Sequence, residues 1–479
     1  MHPTSGTPHF DLVGVGIGPF NLSLAALAEP LRENHSLELL FLESRQEFAW
    51  HRGMMLDGAT LQVPFLADLV SLTDPTSRFS VLNWLRETDR LYSFYFAENL
   101  FLQRREYEAY CQWVAAQLPF CRFGATVTRV RRGEAGFEIE YTAPSGPTMV
   151  TATNIVLGIG TEPVMPFDLP GAALHSADYL LHRERLRTLD DVTVVGSGQS
   201  GAEIVLDLLR TGAPGQRVRW LTRSAAFEPM EYSKLGLEHF TPDYTRFFHA
   251  LRDDVRADLL RTQGRLHKAI SFETIADLHA ELHMRSFDSL YGGTLGLAGD
   301  TGATLLPGVS VTGGAWRSGG GAASGPDGTS PGGTSPGGTS PGGTSPGGTS
   351  PGGMSPGTVE LTCVHDRQKR EFGVLTDAVV LATGYRDRVP DFLAAGLAQL
   401  LGPADLDYRV APGVYAQNAE QRTHGVGAPD LGLGAHRAAV ILNAVTGRTV
   451  YDLPRRAAHT AFDPEAAAER DPGIRIEVP

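Results

Sequence analysis

The chain has few cysteines, no long apolar run and no excess of basic residues in its 479 positions. Cys111, Cys121 and Cys363 are scattered, which excludes a disulfide framework, a cysteine metal site and a redox-active CxxC pair. No apolar run is long enough to cross a bilayer, and the N-terminus lacks the basic and apolar regions of a signal peptide. The net charge of −13 argues against general nucleic-acid or membrane-surface binding. We therefore predict a cytoplasmic protein that binds no metal, nucleic acid or membrane.

A glycine-rich turn lies near the N-terminus, in Asp11–Asn21 (DLVGVGIGPFN), between a strand pattern and a helix pattern. Its glycines stand at alternate positions: Gly14, Gly16 and Gly18. This order lets the backbone approach a pyrophosphate at the start of the helix. The next apolar run, Leu37–Leu42, ends in Glu43, an acid placed to bind ribose hydroxyls. The pattern predicts a dinucleotide site, and the alternative is a structural turn in another α/β fold.

A second fingerprint lies in Val192–Glu203 (VTVVGSGQSGAE), with glycines at GxGxxG spacing: Gly196, Gly198 and Gly201. The next strand, Val218–Thr222, ends in Arg223 where the first site has Glu43. An arginine there suits the 2′-phosphate of NADPH, although a simple surface charge is the alternative. Two fingerprints predict an α/β, two-dinucleotide-binding flavoprotein, with a Rossmann-like FAD domain, an inserted Rossmann-like NADPH domain and a small helical substrate region.

The remaining landmarks set the predicted domain boundaries. The TSPGG repeats in 318–357 cannot bury a core and are predicted to be a disordered hairpin loop. A buried strand in Asp377–Tyr385 ends in Ala-Thr-Gly-Tyr, and a glycine-rich turn follows in Val414–Arg437. We predict four segments: 1–165, the first part of the FAD domain; 166–305, the NADPH domain with a helical cap over the substrate; 306–455, the second part of the FAD domain; and 456–479, a mobile tail.

Several stretches together resemble the microbial N-hydroxylating flavin monooxygenases, which act on lysine, ornithine or small diamines in siderophore biosynthesis. The resemblance rests on Asp11–Leu22, FAWH, LQVPFLADLVSLTDPTS, GSGQSGAE, ATGY and THG. It implies that NADPH reduces FAD, that O₂ then forms a C4a-hydroperoxyflavin, and that a neutral primary amine attacks its distal oxygen. It also implies a homo-oligomer, a tetramer or a dimer.

The resemblance assigns site residues by motif. Those implied to bind the cofactors are Gly14, Gly16, Gly18, Pro19, Glu43, Trp50, His51, Gln62, Thr383, Gly384, Tyr385, His424 and Gly425 for FAD, and Gly198, Gln199, Ser200 and Arg223 for NADPH. Gln62 is also implied to lie at the reacting centre, near the flavin ring and nicotinamide. No side chain need act as a nucleophile, because the cofactor supplies the chemistry and the protein positions it.

Two positions depart from the amino-acid hydroxylases of this family. Ala67 stands where those enzymes have a lysine that pairs with the substrate α-carboxylate, and Gly432 stands where a serine is usual. We therefore predict a diamine substrate, cadaverine first and putrescine second, used for desferrioxamine-type siderophores. The alternative is L-lysine, with Lys268 or Arg285 replacing the missing cation. The neighbouring Asp68 either binds the substrate ammonium or caps the following turn.

Three other classes compete with this interpretation. A flavin disulfide reductase needs a CxxC pair, which the sequence lacks. A Baeyer–Villiger or sulfur-oxidising monooxygenase needs an FxGxxxHxxxW-type linker motif, which is not visible between the fingerprints. A non-catalytic sensor of flavin or NADPH would not need two complete fingerprints.

Overall fold

The computed structural model describes residues 7–134, 136–167, 169, 171–288, 301–317 and 357–476. The chain forms two compact units, each built from separate stretches of sequence. Unit 1 comprises Met1–Val164, Glu228–Ile275 and Gly384–Pro479, and unit 2 comprises Met165–Phe227 and Ala276–Thr383. Among the described residues, no helix is both long and apolar enough to span a membrane.

Unit 1 is organised around an eight-stranded sheet with a parallel centre. Its strands are His9–Val15, Leu39–Glu43, Cys121–Phe123, Thr126–Gly133, Gly136–Ala143, Gly146–Leu157, Arg409–Ala411 and Val414–Ala416. The first strand lies between Leu39–Glu43 and Gly146–Leu157 and pairs in parallel with both. Such strands are buried on both faces, which explains their continuous apolar sequence. The two-stranded pair Glu162–Pro163 and Tyr385–Arg386 also belongs to unit 1.

Helices cover the sheet of unit 1 and form the segment 228–275. Those within the unit are Pro19–Asn34, Val81–Glu87, Leu91–Ala97, Arg104–Ala115, Lys234–Leu237, Pro242–Ala250, Asp253–Thr262, Ala395–Ala398, Gln421–His424, Gly434–Thr446 and Pro464–Ala468. The helix Phe272–Asp288 crosses the boundary between the units. Pro19–Asn34 packs along Gly434–Thr446, so that the helix after the first glycine turn and the last long helix form one layer.

Unit 2 holds a second parallel sheet, with five strands. In spatial order they are Ala303–Pro307, Arg217–Thr222, Asp191–Val195, Ala378–Leu381 and Ala173–His175. Unit 2 also contains a three-stranded antiparallel sheet, which consists of Val309–Trp316, Val359–His365 and Arg370–Thr376. Among the described residues, the α-helices that lie wholly within the unit are Tyr179–Leu186 and Gln199–Thr211. The parallel sheet and the turn after Asp191–Val195 have the predicted Rossmann-like form.

The units divide the chain differently from the sequence-based segments at two places. Strands within 303–381 belong to unit 2, because Ala303–Pro307 pairs with Arg217–Thr222 and Ala378–Leu381 pairs with Asp191–Val195. The stretch 228–275 belongs to unit 1 instead. The strands that flank the TSPGG tract pair antiparallel, which confirms that the tract joins a hairpin. The repeats themselves, 318–356, lie outside the described residues.

Candidate active site

The first glycine turn is shaped by two close contacts and one open position. A Cβ at Gly14 would lie 2.2 Å from the Phe41 ring, and one at Gly16 would lie 2.5 Å from the Gly158 carbonyl oxygen. Gly16 also has a φ of +87°, which disfavours any side chain. By contrast, apart from Gly18 and its chain neighbours, no atom of the described residues lies within 4 Å of where a Cβ at Gly18 would be. The first two glycines therefore serve packing, while the third leaves space beside the helix start.

The helix Pro19–Asn34 begins at this open position with free backbone donors. Gly18 is its N-cap, no side chain in the described part of the chain caps it, and proline occupies its first turn. Glu43 is buried, and its two carboxylate oxygens accept hydrogen bonds from Ile17 N at 2.9 Å and Arg45 N at 3.0 Å. The carboxylate is thus fixed against the turn that it faces. An open glycine, an uncapped helix and a fixed acid fit a dinucleotide diphosphate and its ribose.

Asn21 and Gln417 hold this turn in place, although the sequence assigned neither of them a role. Asn21 Nδ2 donates to the carbonyls of Val15 at 3.2 Å and Gly16 at 2.8 Å. Gln417 Nε2 donates to Asn21 Oδ1 at 2.6 Å, and Gln417 N donates to Leu157 O at 2.9 Å. Asn21 stands in the quoted motif, but Gln417 is 396 residues away and only folding brings it there.

Trp50, His51 and Tyr385 come together, as expected for residues assigned to one cofactor. The His51 ring centroid lies 4.6 Å from that of Trp50 and 6.3 Å from that of Tyr385. His51 has a φ of +47°. Desolvation by the surrounding protein atoms, and then the charges of Arg104 and Arg45, lower the pKa of His51 to about 4, although the residue is exposed to solvent. The imidazole is therefore neutral at physiological pH.

Gln62 has a buried amide nitrogen, Nε2, that donates no hydrogen bond to any described residue. A buried donor without an acceptor is costly, because its hydration is lost and nothing replaces it. A flavin ring carries carbonyl oxygens and ring nitrogens that can accept such a bond. The orphaned donor therefore fits the role assigned to Gln62.

His424 and Gly425 lie in a tightly packed interior. The His424 ring stacks on Tyr408 with centroids 4.4 Å apart, and its Nδ1 lies 2.9 Å from Thr423 Oγ1. Burial, followed by the charge of Arg437, lowers the pKa of His424 to about 3. Gly425 has a φ of +77°, and a Cβ there would lie 3.1 Å from the Phe248 ring. These contacts pack both residues into the interior, and His424 Nε2 has no hydrogen-bond partner among the described residues.

The second glycine turn, in unit 2, repeats the design of the first. Gly196 has a φ of +123°, and a Cβ there would lie 2.1 Å from the Ala382 carbonyl oxygen. Trp220 Nε1 donates to Gly196 O at 2.6 Å and holds the loop. Gly198, which has no side chain, is the N-cap of the helix Gln199–Thr211. Ser200, also assigned to this cofactor, lies in the first turn of that helix and is partly buried. Arg223 is exposed, and within the described part of the chain it has no ion pair.

Ala67 and Gly432, assigned to the substrate from separate motifs, are neighbours. A Cβ at Gly432 would lie 4.0 Å from the Cβ of Ala67. Ala67 is buried, with 6% of its surface exposed. The same Cβ would lie 2.8 Å from Asp430 Oδ1, which accepts a hydrogen bond from Gly432 N at 2.6 Å. Two small residues and one carboxylate therefore meet at this point.

Asp68 and Arg285 have structural partners. Asp68 accepts hydrogen bonds from Val70 N, Ser71 N, Ser71 Oγ and Val81 N at 2.6–2.9 Å, which favours the capping alternative. Arg285, in unit 2, donates to the Thr301 carbonyl at 3.1 Å and to the Leu209 carbonyl, and pairs with Glu281. Its guanidinium is fully engaged there, and Lys268 is exposed. Neither observation favours a cation that replaces the missing lysine.

The fold and the two glycine turns define a two-dinucleotide-binding flavoprotein. The family model for L-lysine 6-monooxygenase/L-ornithine 5-monooxygenase matches residues 8–313, which is more than half of the chain. The rhizobactin siderophore biosynthesis protein RhbE of Rhizobium meliloti is 40% identical over 95% of both chains. The putrescine N-hydroxylase of Shewanella oneidensis is 38% identical, over 97% of this chain and 86% of its own.

A solved structure gives the same result. It is the FAD-bound cadaverine monooxygenase DfoA from the desferrioxamine pathway of Erwinia amylovora, with a TM-score of 0.81 and 33% identity. The match covers 96% of this chain and 99% of that one. The chain belongs to the L-lysine 6-monooxygenase/L-ornithine 5-monooxygenase family, which confirms the resemblance inferred from its motifs.

Proposed function

We propose that this flavin-dependent N-monooxygenase hydroxylates one terminal amine of an aliphatic diamine, cadaverine first and putrescine second. The cofactors are FAD and NADPH. The overall reaction consumes one diamine, NADPH, H⁺ and O₂, and gives the N-hydroxydiamine, NADP⁺ and water. Its product supplies the hydroxamate nitrogen of a desferrioxamine-type siderophore. This proposal rests on one observation above the others, the meeting of Ala67, Gly432 and Asp430.

The two units would divide the cofactors between them. In unit 1, the free donors of the helix that begins at Pro19 would hold the FAD diphosphate, and Glu43 would bind its ribose. In unit 2, the helix that begins at Gln199 would hold the NADPH diphosphate, and Arg223 the 2′-phosphate. Thr383, Gly384 and Tyr385 remain proposed FAD-binding residues.

When bound, reduced FAD supplies an activated oxygen for transfer to nitrogen. The surrounding residues would position the reactants and exclude water. Gln62 Nε2 would hydrogen-bond to the flavin ring and fix its position. His51, neutral because its pKa is about 4, would pack beside the ring without adding a positive charge. Desolvation of the reacting amine would favour its uncharged form, which is the form able to act as a nucleophile.

The substrate choice follows from what positions 67 and 432 lack. An α-carboxylate buried beside Ala67 would find a methyl group and the Asp430 carboxylate, which repels it. Burying an unpaired charge costs several kcal/mol, so an amino acid would bind poorly. A diamine carries no carboxylate and avoids this cost.

The proposal is tested by incubating the FAD-loaded protein with NADPH and cadaverine, putrescine, L-lysine or L-ornithine in turn. Cadaverine and putrescine should give a hydroxylamine product, and the amount of NADPH oxidised should equal the amount of product formed. The Ala67→Lys variant should lose diamine turnover, because a lysine there repels the far ammonium. Amine-independent NADPH oxidation without product would favour the sensor alternative, and product mainly from L-lysine would overturn the substrate assignment.

We also propose that the protein acts in the cytoplasm as a homo-oligomer. The helix Leu91–Ala97 has no buried residue, and Tyr92, Tyr95 and Phe96 are 70–79% exposed. Clustered exposed aromatics are typical of interaction sites, and we assign this helix to contact with a second copy. Phe96→Glu should reduce the mass measured by light scattering. Leu181→Glu, at an apolar residue 72% exposed in unit 2, is the control that should not.

A further inference from the structure

Asp430 carries a carboxylate that only partly engages the protein. Its Oδ1 accepts the hydrogen bond from Gly432 N, at the start of the 3₁₀ turn Leu431–Leu433. Its Oδ2 has no hydrogen-bond or ion-pair partner in the described part of the chain. The carboxylate also fills the space that a side chain at position 432 would need. Glycine at 432 and an acid at 430 are therefore linked features of this site.

We propose that Asp430 binds the far ammonium of the diamine, the one that is not hydroxylated, and thereby sets the preference for diamines over monoamines. This inference rests on the proposed function. Asp430 Oδ1 and the Ala67 Cβ both lie close to position 432, at 2.8 Å and 4.0 Å from where a Cβ at Gly432 would be. A partly buried carboxylate with one oxygen that no described residue contacts is the complement of a primary ammonium.

The positive charge that acts on Asp430, that of Arg437, is paired with a different acid. Burial raises the pKa of Asp430 to about 6, while the Gly432 N–H and the Arg437 charge oppose the rise. Arg437 is itself held by Glu420, with Nη1 3.0 Å from Oε1, and packs over the Phe20 ring. On the other side, Asp430 contributes, after burial and Glu273, to raising the pKa of Tyr232 to about 12. A bound ammonium would stabilise the ionised Asp430 and lower its pKa.

A purely structural role as a cap makes a different prediction. Asp463 caps the helix Pro464–Ala468 in the same way, with Oδ1 accepting from Ala466 N at 2.6 Å. Asparagine caps nearly as well as aspartate, so Asp430→Asn keeps the cap and removes only the charge. Asp463→Asn is the matched control for that change.

The test compares cadaverine with pentylamine, which lacks the second amine, in the FAD-loaded wild type and both variants. In Asp430→Asn, KM for cadaverine should rise about 10- to 100-fold with little change in kcat, since a charged hydrogen bond is lost. Pentylamine kinetics should not change, so the preference for cadaverine should disappear. Without NADPH, cadaverine should raise the melting temperature of the wild type and of Asp463→Asn more than that of Asp430→Asn.

The outcomes separate this inference from the proposed function. If Asp430→Asn keeps the wild-type preference for cadaverine over pentylamine, the role of Asp430 is refuted while diamine hydroxylation stands. If Asp463→Asn shows the same loss, the effect belongs to capping and the inference fails. If the wild type hydroxylates no diamine and is not stabilised by cadaverine, both fail.

Discussion

Removing the Asp430 charge should stabilise the amine-free protein at neutral pH. Burial raises the pKa of this acid from 3.8 to about 6, so the folded state binds its proton more tightly than the unfolded state does. Asp430 therefore contributes to the free energy of unfolding below pH 4, and this contribution is lost as the pH rises through 6. About two pKa units correspond to roughly 3 kcal/mol, which is an upper limit because the residue is partly exposed.

Urea unfolding of the FAD-loaded protein, followed by tryptophan fluorescence at pH 8 and pH 5, measures this effect. Asp430→Asn should exceed the wild type in unfolding free energy by about 1–3 kcal/mol at pH 8, with a smaller gain at pH 5. Saturating cadaverine should offset this difference by about 1.4–2.8 kcal/mol at pH 8, which is the equivalent of a 10- to 100-fold difference in affinity. A variant that is less stable than the wild type at pH 8 without amine would refute the reasoning. Asp463→Asn reports the effect of replacing a capping carboxylate alone.

Three further predictions follow from other parts of the chain. Glu420→Ala leaves the Arg437 charge buried and unpaired, and should lower the unfolding free energy by about 3–5 kcal/mol, whereas Glu47→Ala, in an exposed pair with Arg52, should cost less than about 1 kcal/mol. Arg223→Ala should raise KM for NADPH roughly tenfold and leave KM for NADH nearly unchanged, because only NADPH carries the 2′-phosphate; equal effects on both would contradict the assignment. Replacing 318–357 by Asn-Gly should preserve FAD content and kcat/KM, because Arg317 N donates to Thr358 O at 2.9 Å and a two-residue turn can join that pair; loss of activity would give the tract a function.

Local patterns predicted the two dinucleotide turns because each is a contiguous strand, turn and helix. The glycine spacing at 14, 16 and 18 reflects requirements that act within a few residues of chain or on the adjacent strand. The resemblance carried Ala67 and Gly432 to the same site, and their positions in the structure agree. The hairpin around the TSPGG tract was also predictable, because both flanking strands alternate in hydrophobicity.

Features that depend on distant pairing were not predictable from local patterns. The strands in 303–381 look the same whether they extend the first sheet or the second, and only Ala378–Leu381 pairing with Asp191–Val195 decides it. Gln417 reaches Asn21 across 396 residues. Asp430 resembles an ordinary turn aspartate in the sequence, and only the packing of its carboxylate against Gly432 and its raised pKa distinguish it. For Asp68, the sequence did not distinguish ammonium binding from capping, and the four hydrogen bonds that its carboxylate accepts favour capping.

A competition experiment tests the central claim most directly. The FAD-loaded protein is given NADPH, ¹⁸O₂ and equal concentrations of cadaverine and L-lysine, and the two N-hydroxylated products are quantified by mass spectrometry. The ratio of labelled products equals the ratio of the two kcat/KM values. We expect more than about ten times as much ¹⁸O-labelled N-hydroxycadaverine as N-hydroxylysine. One unpaired buried charge weakens binding by at least that factor. Labelled N-hydroxylysine as the main product would contradict the diamine assignment, and unlabelled or absent hydroxylamine would contradict the reaction itself.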